Sequence, residues 1–173
     1  MNGDIALNWK VVYVASRQEK AVALRLQQQQ IEAYVPLMRK LQRWSDRNKW
    51  VDFPLFNGYV LVRPRQTEFD RVLQVPGVVA FVRFDGQAAV VRDEEIEWIR
   101  RLVEHGYDLE VSGIEPGTPA GTMVRVVQGP LKGCMGTVIQ YEKGTGFQIS
   151  LEGIRQGIRV RLPSGFLEQI TTA

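Results

Sequence analysis

Apolar residues recur along this chain at two periods, and the switches between them mark the elements. Trp9–Ala15 is a β-branched, apolar run that predicts a buried strand. Ser16, Arg17, Gln18 and Glu19 then have the spacing of a capping box. In that arrangement the Ser16 hydroxyl accepts from the Glu19 amide and the Glu19 carboxylate accepts from the Ser16 amide. The helix that follows is predicted to run to about Gln30, with Ala21, Leu24 and Gln28 on one ridge and Val22 and Leu26 on another. Tyr34 to about Leu41 and Trp50 to Arg63 predict two strands of a long hairpin, with the polar, basic LQRWSDRNKW (41–50) as its exposed tip. Thr67 is placed to cap a short helix, Glu68–Gln74, which Pro76 and Gly77 stop. Val78–Phe84 predicts a strand before an Asp85-Gly86 turn. Asp93 is the expected cap of a helix with a core stripe of Ile96, Ile99, Leu102 and Val103, and Gly106 is its C′ residue.

The order β-α-β-β-α-β-α to residue 106 predicts an antiparallel or mixed sheet with helices on one face, an α+β sandwich. Gly113, Pro116, Gly117, Pro119 and Gly121 break any period in YDLEVSGIEPGTPAG, so residues 107–120 read as a linker. Strands follow near 122–128, 136–142, 146–151, 157–162 and 166–170. Val124 and Val126 alternate with Arg125 and Val127, and Ile158, Val160 and Leu162 alternate with Arg159 and Arg161, one face in and one face out. The expected organisation is a first domain at 1–106, a linker at 107–120 and a small five-stranded barrel at 121–173. The barrel's glycines, poor in helix propensity, argue for strands over a helical tail.

Charge refines this picture. The chain's net charge of +3 divides into +3 over residues 1–106, −3 over 107–120 and +3 over 121–173, two mildly basic modules flanking an acidic connector. That balance permits contact with nucleic acid. One cysteine, Cys134, excludes an intrachain disulfide and suits a reducing cytoplasm. One histidine, His105, with one cysteine makes no usual structural zinc site. No apolar run approaches the ~20 residues that span a bilayer, and MNGDIALNWK lacks the pattern of a secretion signal. No nucleophile–base set, carboxylate pair or phosphate loop is recognisable; GTGF (144–147) reads as a hairpin turn. A catalytic role, a cofactor and a metal are therefore not expected.

GTMVRVVQGPLKGCMGTVIQY (121–141), two strand-like runs about a turn rich in glycine, resembles a KOW motif. Together with the Trp9 strand, PLFNGYVLVRP (54–64) and VPGVVAFVRF (75–84), it makes the whole chain resemble the NusG family of transcription elongation factors. EAYVPLMRKLQRWSDRNKW followed by PLF resembles specialised paralogues of the UpxY and RfaH kind, which act on selected operons. Two departures stand out. Asn57-Gly58 replaces the usual Pro-Gly or Pro-Asn before the tyrosine, and Asp70, Arg71 and Val72 stand where RfaH-like members carry a His-Thr-Thr triplet.

The resemblance implies a monomeric, cytoplasmic antitermination factor whose Tyr13, Phe56 and Tyr59 form an apolar pocket for the clamp helices of RNA polymerase. Each of the three could instead be core. It implies a non-template DNA contact for Arg17 and Lys20, and a ribosomal protein or termination factor as partner of the KOW domain. Arg43 and Arg47, in the basic hairpin tip with Trp44 and Trp50 interleaved, are candidates for nucleic-acid contact, although the Trp rings are expected to pack over the sheet. The competing function is a KOW-containing RNA-binding or ribosome-associated protein.

Overall fold

The first β-branched run is a strand, β1 (Trp9–Val14), and the first half of the molecule is arranged around it. The computed structural model describes residues 7–114, 121–141 and 144–171. Its chain divides into two compact units that part between Ile96 and Glu97. After β1, the first unit runs through α1 (Glu19–Gln28), β2 (Glu32–Tyr34), β3 (Leu37–Arg43), β4 (Asn48–Pro54), β5 (Tyr59–Arg63), α2 (Phe69–Gln74), β6 (Val78–Phe81), β7 (Arg83–Phe84), β8 (Gln87–Ala88) and β9 (Val90–Val91). Helix α3 (Asp93–Glu104) begins there and continues past the division.

Strands β2, β5, β1 and β6 form an antiparallel sheet in that order, and β9 also pairs with β1. Alternation along β1 decides which face is which. Val12 and Val14 join Val60, Val62 and Ala33 in a core closed by Val22, Ala23 and Leu26 of α1 and by Val72 of α2. Trp9, Val11 and Tyr13 occupy the opposite face. The Val22–Leu26 ridge is buried as expected, whereas Leu24 of the other ridge is exposed. Asp85 and Gly86, at φ 52° and 77°, form the expected turn, between β7 and β8.

The expected long hairpin is split in two. Among the described residues β3 and β4 pair only with each other, as a separate two-stranded ribbon, while β2 pairs with β5 inside the main sheet. Val35 and Pro36 separate the paired registers on one side; Leu55–Val60 separate them on the other. The longer side folds in as a loop. Leu55 donates its amide to the Pro36 carbonyl at 2.8 Å, and Gly58, at φ +79°, accepts from the Val14 amide at 2.9 Å. Leu55 and Phe56, within it, are buried.

None of the three expected caps forms: α1 has no side-chain cap, and glutamates take the amides ahead of the other two helices. Arg17 adopts a left-handed φ of 62°, so Ser16 lies outside the helix, α1 starts at Glu19, and the Ser16–Glu19 box is out of register. The buried Glu19 carboxylate instead accepts the Gly58 amide at 2.8 Å. Before α2, Glu68 rather than Thr67 is the acceptor, taking the Arg65 amide at 2.8 Å. Before α3, buried Glu95 takes the Arg92 amide at 2.8 Å, and Asp93 pairs with Arg63 at 3.3 Å. α3 buries Ile96, Ile99 and Leu102 of the expected stripe, with Trp98 in addition. Gly106 ends it at φ 65°, as expected.

The second unit is an antiparallel sheet in the order β10 (Leu109–Gly113), β14 (Gln156–Arg161), β13 (Gly144–Leu151), β12 (Met135–Tyr141), β11 (Met123–Val126), β15 (Leu167–Gln169). The five expected strands are present, and β10 is a sixth. It lies in the segment read as linker, where buried Leu109 pairs with Val160; residues 115–120 of that segment lie outside the described residues. GTGF falls inside β13 rather than in a turn. Phe147, Ile149, Leu151, Ile158 and Val160 fill the interior. Gly136 is required by crowding: a Cβ there would stand 2.1 Å from the Gln148 carbonyl oxygen and 2.8 Å from the Phe147 ring.

Two stability outcomes follow. Glu19→Ala leaves the Gly58 amide without its acceptor and should cost about 1–3 kcal/mol in urea unfolding, with Glu19→Gln, which keeps an acceptor oxygen, losing less. Gly136→Ala should destabilise the second unit by about 1–3 kcal/mol or more, while Gly165→Ala, with nothing within 4 Å of the added methyl, should leave the unfolding curve nearly unchanged.

Candidate functional site

Two surfaces of the first unit concentrate the residues singled out in the sequence. The first is the sheet face opposite α1 and α2. Tyr13 and Tyr59 stand directly opposite each other on β1 and β5, with ring centroids 5.1 Å apart and planes tilted by 46°. Tyr13 is 41% exposed and Tyr59 half-buried. Burial, and next a hydrogen bond with the Tyr13 side chain, push the Tyr59 hydroxyl pKa up to about 12. Ala80 of β6 lies beside Tyr13, and Tyr34 of β2 pairs with Leu61, which places it on the same face as Tyr59. Tyr34 was missed by sequence reading. Only the β2–β5 register reveals its side of the sheet.

Phe56 is not exposed beside these tyrosines. It is 4% exposed and belongs to the core, the alternative reading of that position. Phe56 lies in the unpaired stretch between β4 and β5 and is buried, whereas Tyr59 begins β5.

The second surface is the β3–β4 ribbon with the adjoining start of α1. Arg43 and Arg47 are exposed at its tip, where the Trp44 amide donates to the Arg47 carbonyl at 2.8 Å. Trp44 and Trp50 are 58% and 56% exposed. Exposed to that extent they do not pack over the sheet, and among the described residues the ribbon pairs with no other strand. The Arg39 guanidinium lies 5.9 Å from the Trp50 ring centroid. Lys20 is tied to the base of the ribbon, its ammonium donating to the Asp52 carbonyl at 2.6 Å. Arg17 is exposed at the left-handed turn before α1.

Other residues singled out in the sequence lie away from both surfaces along the chain. Val72 is buried, Arg71 donates to the Gln29 carbonyl at 3.0 Å, and Asp70 is exposed. His105 sits at the end of α3 with Nδ1 2.9 Å from the Arg101 carbonyl. Burial pushes the Cys134 thiol up to about 11, against the opposing influence of Arg101. Among the described residues, no group of three His, Cys, Asp or Glu side chains could hold a metal ion. No helix among them is long and apolar enough to cross a membrane.

A family model described as transcription termination factor nusG matches residues 7–100, more than half of the chain. The chain belongs to the NusG family. The fold agrees. A solved structure showing domain interaction in Thermotoga maritima NusG is 24% identical, with 98% of this chain and 100% of that chain covered and a TM-score of 0.55. Conformation A of the MjSpt4:Spt5 complex matches at 19% identity, covering 95% of this chain and 99% of that one, with a TM-score of 0.31. The mixed α+β first unit and β-rich second unit are those of a NusG-family transcription factor.

The tyrosine pair has a pH signature. A hydroxyl whose pKa is raised from 10 to about 12 by folding contributes stability that is intact below pH 10 and lost as pH rises through about 12. Tyr59→Phe should remove that share of the alkaline decline in unfolding midpoint. Tyr13→Phe, which deletes the hydrogen bond but not the burial, should bring Tyr59 ionisation part of the way back to normal in an ultraviolet tyrosinate titration.

Proposed function

We propose that this NusG-family chain is a transcription elongation factor, of the specialised paralogue kind, that binds the clamp helices of RNA polymerase through its first unit. The observation that carries this reading is the Tyr13–Tyr59 pair, one ring exposed and the other half-buried, on the sheet face opposite α1 and α2. Aromatic rings with polar tips tolerate water when free and burial when bound. Exposed apolar surface of this kind favours a partner that covers it.

The chemistry is binding, not bond-making. A factor that grips both sides of a nucleic-acid cleft holds it closed if its affinity for the closed state exceeds that for the open one. Pauses or terminations that need clamp opening then become rarer, at those operons to which the factor is recruited. The basic side chains of Arg17, Lys20, Arg43 and Arg47 lie in the same unit and suit a contact with the displaced non-template strand. In this reading the second unit is a KOW domain that recruits a ribosomal protein or a termination factor, and the protein acts in the cytoplasm as a monomer without a cofactor.

Tyr13→Ala and Tyr59→Ala should each weaken binding to a clamp-helix fragment by roughly 1–3 kcal/mol while the protein stays folded. Phe56→Ala serves as the contrast. It should destabilise the fold by about 3–5 kcal/mol, because that ring is core. Wild-type affinity in both folded tyrosine variants would overturn the assignment of the binding face.

A further inference from the structure

We propose that β10 is a displaceable cover on the β14 edge, and that this edge takes an extended segment of a protein partner in which acidic and apolar residues alternate. The inference deepens the reading of the second unit as the recruiting part of the chain. Its test uses neither polymerase nor a recruited factor, so either can fail without the other.

β14 offers two rows of side chains to whatever lies beside it. Ile158 and Val160 are buried on the inner face, and Arg159 and Arg161 are exposed on the outer one. The outer row is organised from the β13 side. Arg159 donates its Nε to the Gln148 side-chain oxygen at 2.9 Å. Gln148 in turn lies across Gly157, where a Cβ would stand 3.0 Å from its amide carbon. Arg159 is thus positioned by β13 and β14 themselves.

β10 is held more lightly. It pairs with β14 from Leu109 opposite Val160 to Gly113 opposite Gln156, and just beyond, the Ile114 amide donates to the Arg155 carbonyl at 2.8 Å. Of its five side chains only Leu109 is buried. Glu110 stands opposite Arg159, yet the guanidinium turns to Gln148 and no ion pair joins the two among the described residues. One leucine and a backbone ladder therefore fix the strand. A segment at a sheet edge with few buried apolar contacts opens at a lower free energy than the centre of the sheet.

A permanent sixth strand is the ordinary alternative, because a bare edge invites pairing with other chains. A permanent cover gains nothing from a single anchor or from an unpaired carboxylate. A placeholder is served by both. A strand added at an edge draws affinity from main-chain hydrogen bonds and selectivity from alternate side chains. Here one set of positions must replace Leu109 and Val111 against Val160 and Ile158, and the other must meet the arginine row. Apolar side chains suit the first set and carboxylates the second. β10 carries that pattern in Leu109, Glu110 and Val111, with Asp108 before them, but Ser112 and Gly113 add neither anchor nor charge. A partner segment that continues the pattern has the advantage over it.

Hydrogen exchange in the unaltered full-length protein should show the amides of Glu110, Ser112 and Ile114, alternate positions on the side that faces β14, exchanging about a hundredfold or more faster than the amides joining β12 to β13. The probe for the open edge is a fluorescently labelled peptide of residues 107–113, YDLEVSG. Ser112→Pro removes a ladder donor and Leu109→Ala the buried anchor, so each should raise the affinity of the full-length protein for this peptide about tenfold by populating the open edge. Lysine in place of both Asp108 and Glu110 in the peptide should weaken its binding about tenfold, a difference that Arg159→Ala in the protein should narrow. Exchange in β10 as slow as between β12 and β13 overturns the proposal, as does peptide affinity equal to wild type in both folded variants. If neither variant folds, exchange in the unaltered protein decides alone. Equal binding of the lysine peptide overturns the acidic character assigned to the partner.

Discussion

Much of the first unit depends on one mismatch of lengths. Between the last pair of the ribbon, Leu37 with Pro54, and the first pair of the sheet, Tyr34 with Leu61, one strand has two residues and its partner six. An uninterrupted ladder cannot absorb that excess. The longer strand therefore leaves the sheet, buries Leu55 and Phe56, and returns through a left-handed Gly58. The returning loop is held from both sides: its carbonyl takes the Val14 amide and its amide gives to Glu19. The same excursion frees the ribbon from the sheet and sets Tyr59 opposite Tyr13. Both surfaces argued to bind partners are thus products of one local constraint.

Much of the fold was legible because most elements follow their own periodicity. The β-branched run of β1, the Val22–Leu26 ridge, the α3 stripe and the alternation in β13 and β14 each show a buried face in the residues themselves. What failed to show was local hydrogen bonding at helix starts. Ser16, Thr67 and Asp93 have the residue types of caps, but a left-handed Arg17 and the turn before each helix decide which side chain can reach an amide. β10 was hidden for a different reason. Its glycine-flanked, acidic sequence has little strand signal of its own, and Leu109–Gly113 becomes a strand by pairing with the regular β14.

The candidate site was readable in part for the same reason. Tyr13 and Tyr59 could be placed on neighbouring strands, and their cross-strand pairing is what β1 and β5 produce. The fate of Phe56 and of the two exposed tryptophans could not be read that way. Burial of a ring in or beside an irregular loop depends on where the chain goes next, and only three dimensions fix that. Family membership follows from residues 7–100 taken together, whereas the paired tyrosines and the free ribbon follow from register.

The buried Cys134 has a practical consequence. It is the chain's one thiol, it is fully enclosed, and its pKa is pushed up to about 11, so at neutral pH it is both shielded and protonated. A cysteine introduced on an exposed residue such as Ser45 would then be the one readily alkylated position in the native protein, with no need to remove the natural one. Alkylation of Cys134 itself would act as a clock, advancing only as fast as the second unit opens around it.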